Sequence, residues 1–260
     1  MAIRGLLLDL EGVLHEGGTS IPSAVGAVAE IERLGLPIRY LTNTTTKPRH
    51  AVAGGLRRLG FPVEDGHLFT PTAAACLLLS SRGTKRIHLA AEPSLEADFG
   101  SFDLVGAQDE GCEAVVLGDL YLGFTWQRLN DLFRGLLRGA ELVALHKNRV
   151  CRRAGELSLD LGPFVAALEY ACATEASVVG KPSPAFFALA LESLQLPAGE
   201  VLMVGDDIEA DIAGAQASGL RAAQVRTGKF RAQDESHPTA HPEARLDSIV
   251  DLAPWLEAQS

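Results

Sequence analysis

Short apolar runs alternate with segments of helical periodicity at the N-terminal end of the chain. Residues 3–8 and 38–41 are apolar runs of the length expected for buried strands. Between them, apolar residues recur at helical spacing from Val25 to Leu34, and Gly35 follows as a stop signal. Pro48 opens a second segment with helical spacing. This order predicts a strand, a helix, a second strand and a second helix.

The same alternation returns towards the C-terminus. Residues 201–204 form an apolar run, after which Ile208, Ile212 and Ala215 share one helical face. Residues 222–225 form one more apolar run. Strands and helices that alternate at both ends predict an α/β fold with a doubly wound, Rossmann-like parallel sheet.

The middle of the chain is less regular and predicts a separate domain. Because this block interrupts a sheet formed from the two ends, we expect residues 83–178 to be an inserted, smaller α/β domain. The core would then comprise residues 1–82 and 179–260. The tail after Phe230 is predicted to be a loop before a short helix around 249–256. Within the middle block, strand candidates lie at 87–90, 114–117 and 142–145, and helix candidates at 126–137 and 163–173.

Composition and charge narrow the class of protein. The net charge of −10 argues against a nucleic-acid surface, because phosphate backbones are bound by basic faces. Four cysteines without a CxxC pair predict reduced thiols rather than a disulfide framework or a zinc site. The chain shows no signal peptide and no apolar run of membrane-spanning length. We therefore expect a soluble cytoplasmic protein with no nucleic-acid or membrane partner.

Polar residues cluster where the predicted core strands end or where the following helices begin. Each has an ordinary explanation by itself, as a helix cap, a turn residue or a solvated side chain. The carboxyl ends of parallel strands meet at one edge of a sheet, so the whole set predicts a single ligand site. The residues of this set are Asp9, Glu11, Thr42, Asn43, Lys181, Asp206, Asp207 and Asp211.

The residue types in this set indicate the ligand. Crowded carboxylates repel each other, and a hard divalent cation that takes oxygen ligands, such as Mg2+, relieves that repulsion. Lys181 supplies a positive charge and Thr42 a hydroxyl donor, and both suit phosphate oxygens. The chain has no GxxxxGK[ST] stretch, so nucleotide binding through a P-loop is not supported.

Four stretches, DLEGVL, LTN, GKPSP and GDDIEADIAGAQ, follow one another in this order. Together they resemble the four motifs of the haloacid dehalogenase-like hydrolase superfamily, in the subclass with a large α/β cap between the second and third motifs. More narrowly, LDLGPFVAALEYA, VVGKPSPAFF and VRTGKFRAQDE resemble a branch that includes phosphatases of pyrophosphate, phospholysine and phosphohistidine. The resemblance implies a phosphohydrolase with a Rossmann-like core and a small phosphorylated substrate.

The resemblance also implies roles for the acidic residues. Asp9 would be the nucleophile, which forms an aspartyl-phosphate that water then hydrolyses. Mg2+ would be held by Asp9, Asp206 and the backbone carbonyl of Glu11. Asp207 or Asp211 would act through water or as support.

The remaining motif residues and the cap receive substrate-binding roles by the same resemblance. Thr42 and Asn43 would bind the transferring phosphoryl group, and Lys181 would offset the charge around it. The stretch HKNRVCRR is the most basic part of the predicted cap, where a loop selects the substrate in capped relatives; a solvated basic loop explains it at least as well. Such relatives often pair through the cap, so a homodimer is a further expectation. The cap specificity candidates are His146, Lys147, Asn148 and Arg149.

Glu11 departs from the resemblance, because most phosphatases of the superfamily have Asp there as general acid and base. One extra methylene moves the carboxyl group by about a bond length, and misplacement of about 1 Å can cost on the order of 100-fold in rate. Glu11 either keeps the proton-transfer role in another rotamer, or the enzyme favours leaving groups that need little protonation. Pyrophosphate and phosphoramidates have such leaving groups, and the branch favours this second explanation.

Three other functions compete with a phosphohydrolase. A haloacid dehalogenase has no use for Mg2+, so the adjacent Asp206 and Asp207 argue against it. A receiver-type signalling domain combines similar residues, but it is much shorter and has its acid pair near the first strand. A catalytically impaired protein that binds a phosphorylated ligand is the strongest rival, because Glu11 is the one altered motif position.

Overall fold

The computed structural model describes residues 2–153 and 156–259. The chain divides into two compact units. The first comprises the residues up to Thr42, His50–Phe69 and the residues from Lys181 on, and the second comprises Asn43–Arg49 and Thr70–Gly180. The strands are β1 (Gly5–Asp9), β2 (His15–Glu16), β3 (Thr19–Ser20), β4 (Ile38–Leu41), β5 (Leu68–Phe69), β6 (Arg86–Ala90), β7 (Asp103–Leu104), β8 (Ala114–Leu117), β9 (Glu141–Ala144), β10 (Val150–Arg153), β11 (Glu156–Leu159), β12 (Ser177–Val178), β13 (Val201–Gly205), β14 (Arg221–Val225) and β15 (Ala244–Leu246).

The helices connect these strands. Short 3₁₀ helices cover Asp65–His67, Pro93–Phe99, Tyr121–Gly123, Ala198–Glu200, Ala232–Ser236 and Ile249–Asp251, and a π-helical turn covers Ile208–Ala213. The α-helices are α1 (Ala24–Arg33), α2 (Arg49–Arg58), α3 (Pro71–Ser81), α4 (Trp126–Leu137), α5 (Gly162–Cys172), α6 (Pro184–Leu194), α7 (Gly214–Ala217) and α8 (Leu252–Glu257).

The first unit contains a six-stranded parallel sheet in the order β15-β14-β13-β1-β4-β5. From β1 the chain continues outwards through β4 and β5, and it later returns to the other side of β1 with β13, β14 and β15. The strand order therefore reverses between β1 and β13, where Leu8 is in register with Val204. Open parallel sheets bind ligands at such a reversal. The prediction of a doubly wound, Rossmann-like fold is confirmed.

The core of this sheet is buried on both faces, which explains why its strands are apolar without alternation. Leu6 and Leu8 of β1 share a buried cluster with Ile31 of α1 and Leu252 of α8. Leu7 is also fully buried, and it lies on the opposite face because successive side chains of a strand alternate. Asp9 follows two residues later, so it ends β1 on the same face as Leu7.

The second unit contains a five-stranded parallel sheet in the order β12-β9-β8-β6-β7, and a separate antiparallel pair, β10 and β11. All four residues of the central strand β8, with the sequence AVVL, are buried. The strand candidates at 87–90, 114–117 and 142–145 correspond to β6, β8 and β9, and the helix candidates at 126–137 and 163–173 correspond to α4 and α5, so these predictions are confirmed. The predicted domain limits, 83–178, stay a prediction, and the second unit also includes α3 and Asn43–Arg49.

Two segments predicted as loops contain strands. The tail after Phe230 includes β15, which pairs with β14 at the sheet edge, so the loop prediction is wrong there. Only Leu246 of this three-residue strand is buried, so it has no apolar run to reveal it. Val150–Arg153 forms β10 rather than part of a basic loop.

Helix α3 has no counterpart among the predicted elements. Its sequence, PTAAACLLLSS, places apolar residues around the whole helix, so helical periodicity is lost. The signals that mark it are at its start, where Pro71 occupies the first turn and Thr70 Oγ1 accepts the N–H of Ala73 at 3.3 Å.

No helix within residues 2–153 and 156–259 is both long and apolar enough to cross a membrane. Cys76, Cys112 and Cys172 are free thiols. The cellular compartment stays a prediction.

Candidate active site

Three carboxylates meet where the order of the parallel strands reverses. Asp9 is the last residue of β1, and Asp206 directly follows β13. Asp211 lies in the π-helical turn after β13. One oxygen of each carboxylate lies within 4.8 Å of the others, and all three residues are buried. We call Asp9, Asp206 and Asp211 the carboxylate triplet, and its oxygens are suited to a hard divalent cation.

Lys181 neutralises part of this charge. Its Nζ atom donates to Asp9 Oδ1 at 2.5 Å and to Asp211 Oδ1 at 2.6 Å. Burial lowers the pKa of Lys181, but the carboxylates of Asp211 and Asp9 outweigh it and hold the pKa above its usual value. The ammonium therefore stays charged inside the site.

The two carboxylate oxygens of Asp206 differ in their hydrogen bonding. Its Oδ2 accepts the N–H of Lys229 at 2.6 Å. Its Oδ1 is buried and has no hydrogen-bond partner among the described residues.

Burial, followed by repulsion from Asp9 and Asp211, raises the pKa of Asp206 well above its usual range. Burial, opposed by Lys181 and reinforced by Asp9, raises the pKa of Asp211 to about 6. Three carboxylates thus face a single buried ammonium, that of Lys181, and a divalent cation fits this set of oxygens.

Asp207 lies beside the triplet and has partners of its own. Its Oδ1 caps the π-helical turn by accepting the N–H groups of Glu209 at 3.1 Å and Ala210 at 3.0 Å. Its Oδ2 lies 3.1 Å from Lys229 Nζ. Burial raises the pKa of Asp207, but Lys229 and the backbone donors outweigh it, so the net shift is downwards.

Glu11 directs its carboxylate into the hairpin formed by β2 and β3. Glu11 Oε1 accepts the N–H of Gly17 at 2.7 Å, and Oε2 lies 2.9 Å from His15 Nδ1. Burial raises the pKa of Glu11, but His15 and the Gly17 N–H outweigh it and leave the pKa below its usual value. The carboxylate is therefore ionised and already hydrogen-bonded.

The backbone of Glu11 is also fixed. The N–H of Gly12 donates to the carbonyl of His15 at 2.8 Å. Because the peptide unit between Glu11 and Gly12 is planar and trans, this bond also sets the direction of the Glu11 carbonyl, which points the opposite way.

Thr42 belongs to the first compact unit, and Asn43, the next residue along the chain, belongs to the second. Thr42 is buried after β4, and its N–H donates to the Phe69 carbonyl at 3.1 Å. It directly follows Leu41, the register partner of Asp9. In the second unit, a Cβ atom on Gly180 would lie 2.8 Å from Asn43 Oδ1, so these two residues pack closely.

Two of the four cap candidates have partners within the second unit. His146 is buried, with Nε2 3.8 Å from Asp160 Oδ1. Lys147 Nζ donates to both carboxylate oxygens of Glu169, at 2.9 and 2.7 Å. These contacts support the structure of the unit itself. Asn148 is half-buried and Arg149 is exposed, and the specificity role of all four residues stays a prediction.

The turn at residues 227–229 belongs to the same site, although the sequence prediction assigns it no role. Thr227 donates to the Gly12 carbonyl, and the Lys229 N–H donates to Asp206. The available signal is position, because Thr-Gly-Lys follows β14 at the carboxyl end of a parallel strand, as the other site residues follow theirs.

Comparison with known proteins identifies the class. The sequence profile of the haloacid dehalogenase-like hydrolase family matches residues 6–104, and a HAD-hydrolase-like profile matches residues 178–252. The phospholysine phosphohistidine inorganic pyrophosphate phosphatase of Bos taurus is 43% identical over 260 residues, which cover 98% of this chain and 94% of the relative.

Two solved structures have the same fold. The p-nitrophenyl phosphatase from Archaeoglobus fulgidus superposes with a TM-score of 0.90 at 25% identity, covering 98% of this chain and 100% of the other. The glycerol phosphate phosphatase from Mycobacterium tuberculosis, solved in complex with magnesium, gives a TM-score of 0.85 at 26% identity, covering 96% and 76%.

The chain belongs to the haloacid dehalogenase-like hydrolase family. Within that family it is similar over nearly its whole length to enzymes named as phosphatases, and the prediction of a phosphatase is confirmed.

Gly205→Ala tests how tightly the triplet is packed. A Cβ atom on Gly205 would overlap the side chain of Asp211, so we expect the free energy of unfolding to fall by about 1–3 kcal/mol. Gly199→Ala is the matched control, because nothing lies within 4 Å of that Cβ position. Urea denaturation should show no loss of stability for the control, and an equal effect of both changes would contradict the packing.

Proposed function

We propose that this phosphatase is a Mg2+-dependent phosphohydrolase that forms an aspartyl-phosphate on Asp9 and acts on a small phosphorylated compound. Pyrophosphate and phosphoramidates are the favoured substrates. The observation that carries the proposal is the buried carboxylate triplet, in which Lys181 holds Asp9 and Asp206 keeps an unpartnered oxygen among the described residues.

The charge of the triplet supports the metal. Its three carboxylates face one buried ammonium, Lys181, while Asp207 and Lys229 pair with each other. Asp9, Asp206 and the backbone carbonyl of Glu11 would hold Mg2+. Asp211 would support them, as would Asp207 from beside the triplet. The bound ion would supply electrostatic stabilisation of the phosphoryl oxygens. The magnesium complex of the Mycobacterium tuberculosis relative supports this choice of ion.

Asp9 would carry the covalent chemistry. A carboxylate oxygen of Asp9 attacks phosphorus, the bond from phosphorus to the leaving group breaks, and the leaving group takes the electron pair. A water oxygen then attacks the same phosphorus, which releases phosphate and restores the Asp9 carboxylate. The Lys181 ammonium offsets the charge of the transferring group, and Thr42 and Asn43 donate hydrogen bonds to it.

The contacts of Glu11 support a preference for good leaving groups. A general acid must be protonated, but Glu11 is bound to the Gly17 N–H, lies beside His15 and has a lowered pKa. The leaving phosphate of pyrophosphate is weakly basic, and the nitrogen of a phosphoramidate can be protonated before the bond breaks. The name of the Bos taurus relative, which includes phospholysine, phosphohistidine and pyrophosphate, agrees with this preference.

The same contacts of Glu11 favour one alternative, a catalytically impaired protein that binds a phosphorylated ligand. Hydrolysis of p-nitrophenyl phosphate discriminates between the two functions, because this substrate has a good leaving group and makes little demand on a general acid. Mg2+-dependent turnover excludes the impaired protein.

Asp9→Asn should abolish the activity. We expect phosphate release from p-nitrophenyl phosphate and pyrophosphate to require Mg2+, to stop with EDTA, and to fall by on the order of 1000-fold or more in the variant. Asp247→Asn is the control, because it makes the same change in a side chain that is 87% exposed and forms a surface ion pair with Arg226. Equal activity of Asp9→Asn and the wild type would contradict the assignment of the nucleophile.

Glu11→Gln tests the proton-transfer role of Glu11. We expect a loss of less than about 10-fold in kcat/KM, equal for p-nitrophenyl phosphate, pyrophosphate and alkyl phosphates, whereas removal of a general acid costs about 10²–10⁴-fold. Glu96→Gln at an exposed position is the control. A loss confined to alkyl phosphates would make Glu11 the general acid. Wild-type turnover of alkyl phosphates as fast as pyrophosphate would overturn the leaving-group preference.

A further inference from the structure

The turn after β14 contacts the loop that follows the proposed nucleophile. We name residues 227–229 the clasp turn. The hydroxyl of Thr227 donates to the backbone carbonyl of Gly12. The N–H of Gly228 donates to Glu16 Oε1 at 2.8 Å. The clasp turn is therefore attached to the loop after β1 by both a side chain and the backbone.

The clasp turn also contacts the acidic loop after β13. The N–H of Lys229 donates to Asp206 Oδ2 at 2.6 Å, and Lys229 Nζ lies 3.1 Å from Asp207 Oδ2. Because this N–H donates to Oδ2, Oδ1 is left as the carboxylate oxygen without a hydrogen-bond partner among the described residues. The turn thereby fixes which oxygen of Asp206 is free.

The three loops pack without space for a side chain between them. Gly12 and Gly228 have φ angles of +83° and +67°, a region that favours glycine. A Cβ atom on either glycine would overlap Asp206 Oδ2, and one on Gly228 would lie 2.6 Å from the Cα atom of Gly12. A displacement of the clasp turn would therefore displace Asp206 as well.

Residues before and after the clasp turn are held by hydrogen bonds. Gln224 is fully buried, and its Nε2 atom lies 3.2 Å from the Asp206 carbonyl and 3.3 Å from Asp234 Oδ2. Asp234 also accepts the N–H of Arg231 at 3.1 Å. The chain on both sides of the turn is held, so the turn has a defined position from which to act.

We propose that the clasp turn positions the proposed metal ligands, and that Thr227 is a positioning residue for the reaction. Thr227 couples the turn to the backbone carbonyl of Gly12, one peptide unit beyond the Glu11 carbonyl that is one proposed ligand. Lys229 N–H couples the turn to Asp206, which is another proposed ligand. This inference rests on the proposed function. Contacts behind the ligands of a metal site typically change metal affinity or activity by about 10–100-fold when they are removed.

Thr227→Val tests the coupling, because it keeps the shape of the side chain and removes the donor to the Gly12 carbonyl. We expect the Kd for Mg2+, measured calorimetrically without substrate, to rise about 10-fold, and kcat for p-nitrophenyl phosphate to fall with little change in KM. Thr227→Ser keeps the hydroxyl and should restore both values. Thr239→Val makes the same change at an exposed position and should leave both unchanged.

Wild-type Mg2+ affinity and kcat in Thr227→Val would overturn the role of the clasp turn. A lower Tm with unchanged Mg2+ affinity would also overturn it, because a merely structural residue gives that result. If Thr227→Val does not fold, Thr227→Ala replaces it with the same expectations. A wild-type protein without Mg2+ binding or hydrolysis would overturn the proposed function and the clasp turn with it. That failure is seen before any variant is compared.

Discussion

The double hydrogen bond of the buried Lys181 ammonium is the interaction on which the site depends. It joins Asp9 to Asp211 at 2.5 and 2.6 Å, at the point where the strand order of the sheet reverses. Buried charges are costly unless they are paired, and Lys181 pairs only part of the triplet. Burial, together with repulsion from Asp9 and Asp211, raises the pKa of Asp206, and its buried Oδ1 has no partner in the described part of the chain. This excess of negative charge is the physical reason to expect a cation.

The loops of the first unit pack closely against the carboxylates of the triplet. Gly12, Gly205 and Gly228 approach Asp206 or Asp211 so closely that a side chain at any of them would overlap a carboxylate. Two acidic side chains near the triplet, those of Asp207 and Glu11, form hydrogen bonds or ion pairs with other residues. Asp207 caps a helical turn and pairs with a lysine, whereas the carboxylate of Glu11 is taken up by the β2–β3 hairpin. The side chains of Asp207 and Glu11 therefore hold the loops beside the triplet.

The sheet and the triplet were predictable because their signals are local. An apolar run that ends in an acidic residue predicts a buried strand and places a carboxylate at the end of that strand. Leu6–Asp9, with the sequence LLLD, is an example. The clasp turn and the partners of Glu11 were not predictable in the same way. Thr227 and Gly12 are 215 positions apart, and the hairpin that binds Glu11 has strands of only two residues, too short for a periodic pattern.

Mg2+ titration of the wild type and of Asp206→Asn, each without substrate, shows whether the carboxylate triplet binds the metal. Asparagine keeps an oxygen to accept the Lys229 N–H but removes one negative charge from the triplet. We expect one Mg2+ site in the wild type, an affinity lower by about 10-fold or more in Asp206→Asn, and an unchanged affinity in Asp247→Asn. Equal Mg2+ affinity of Asp206→Asn and the wild type would contradict a metal site at the triplet.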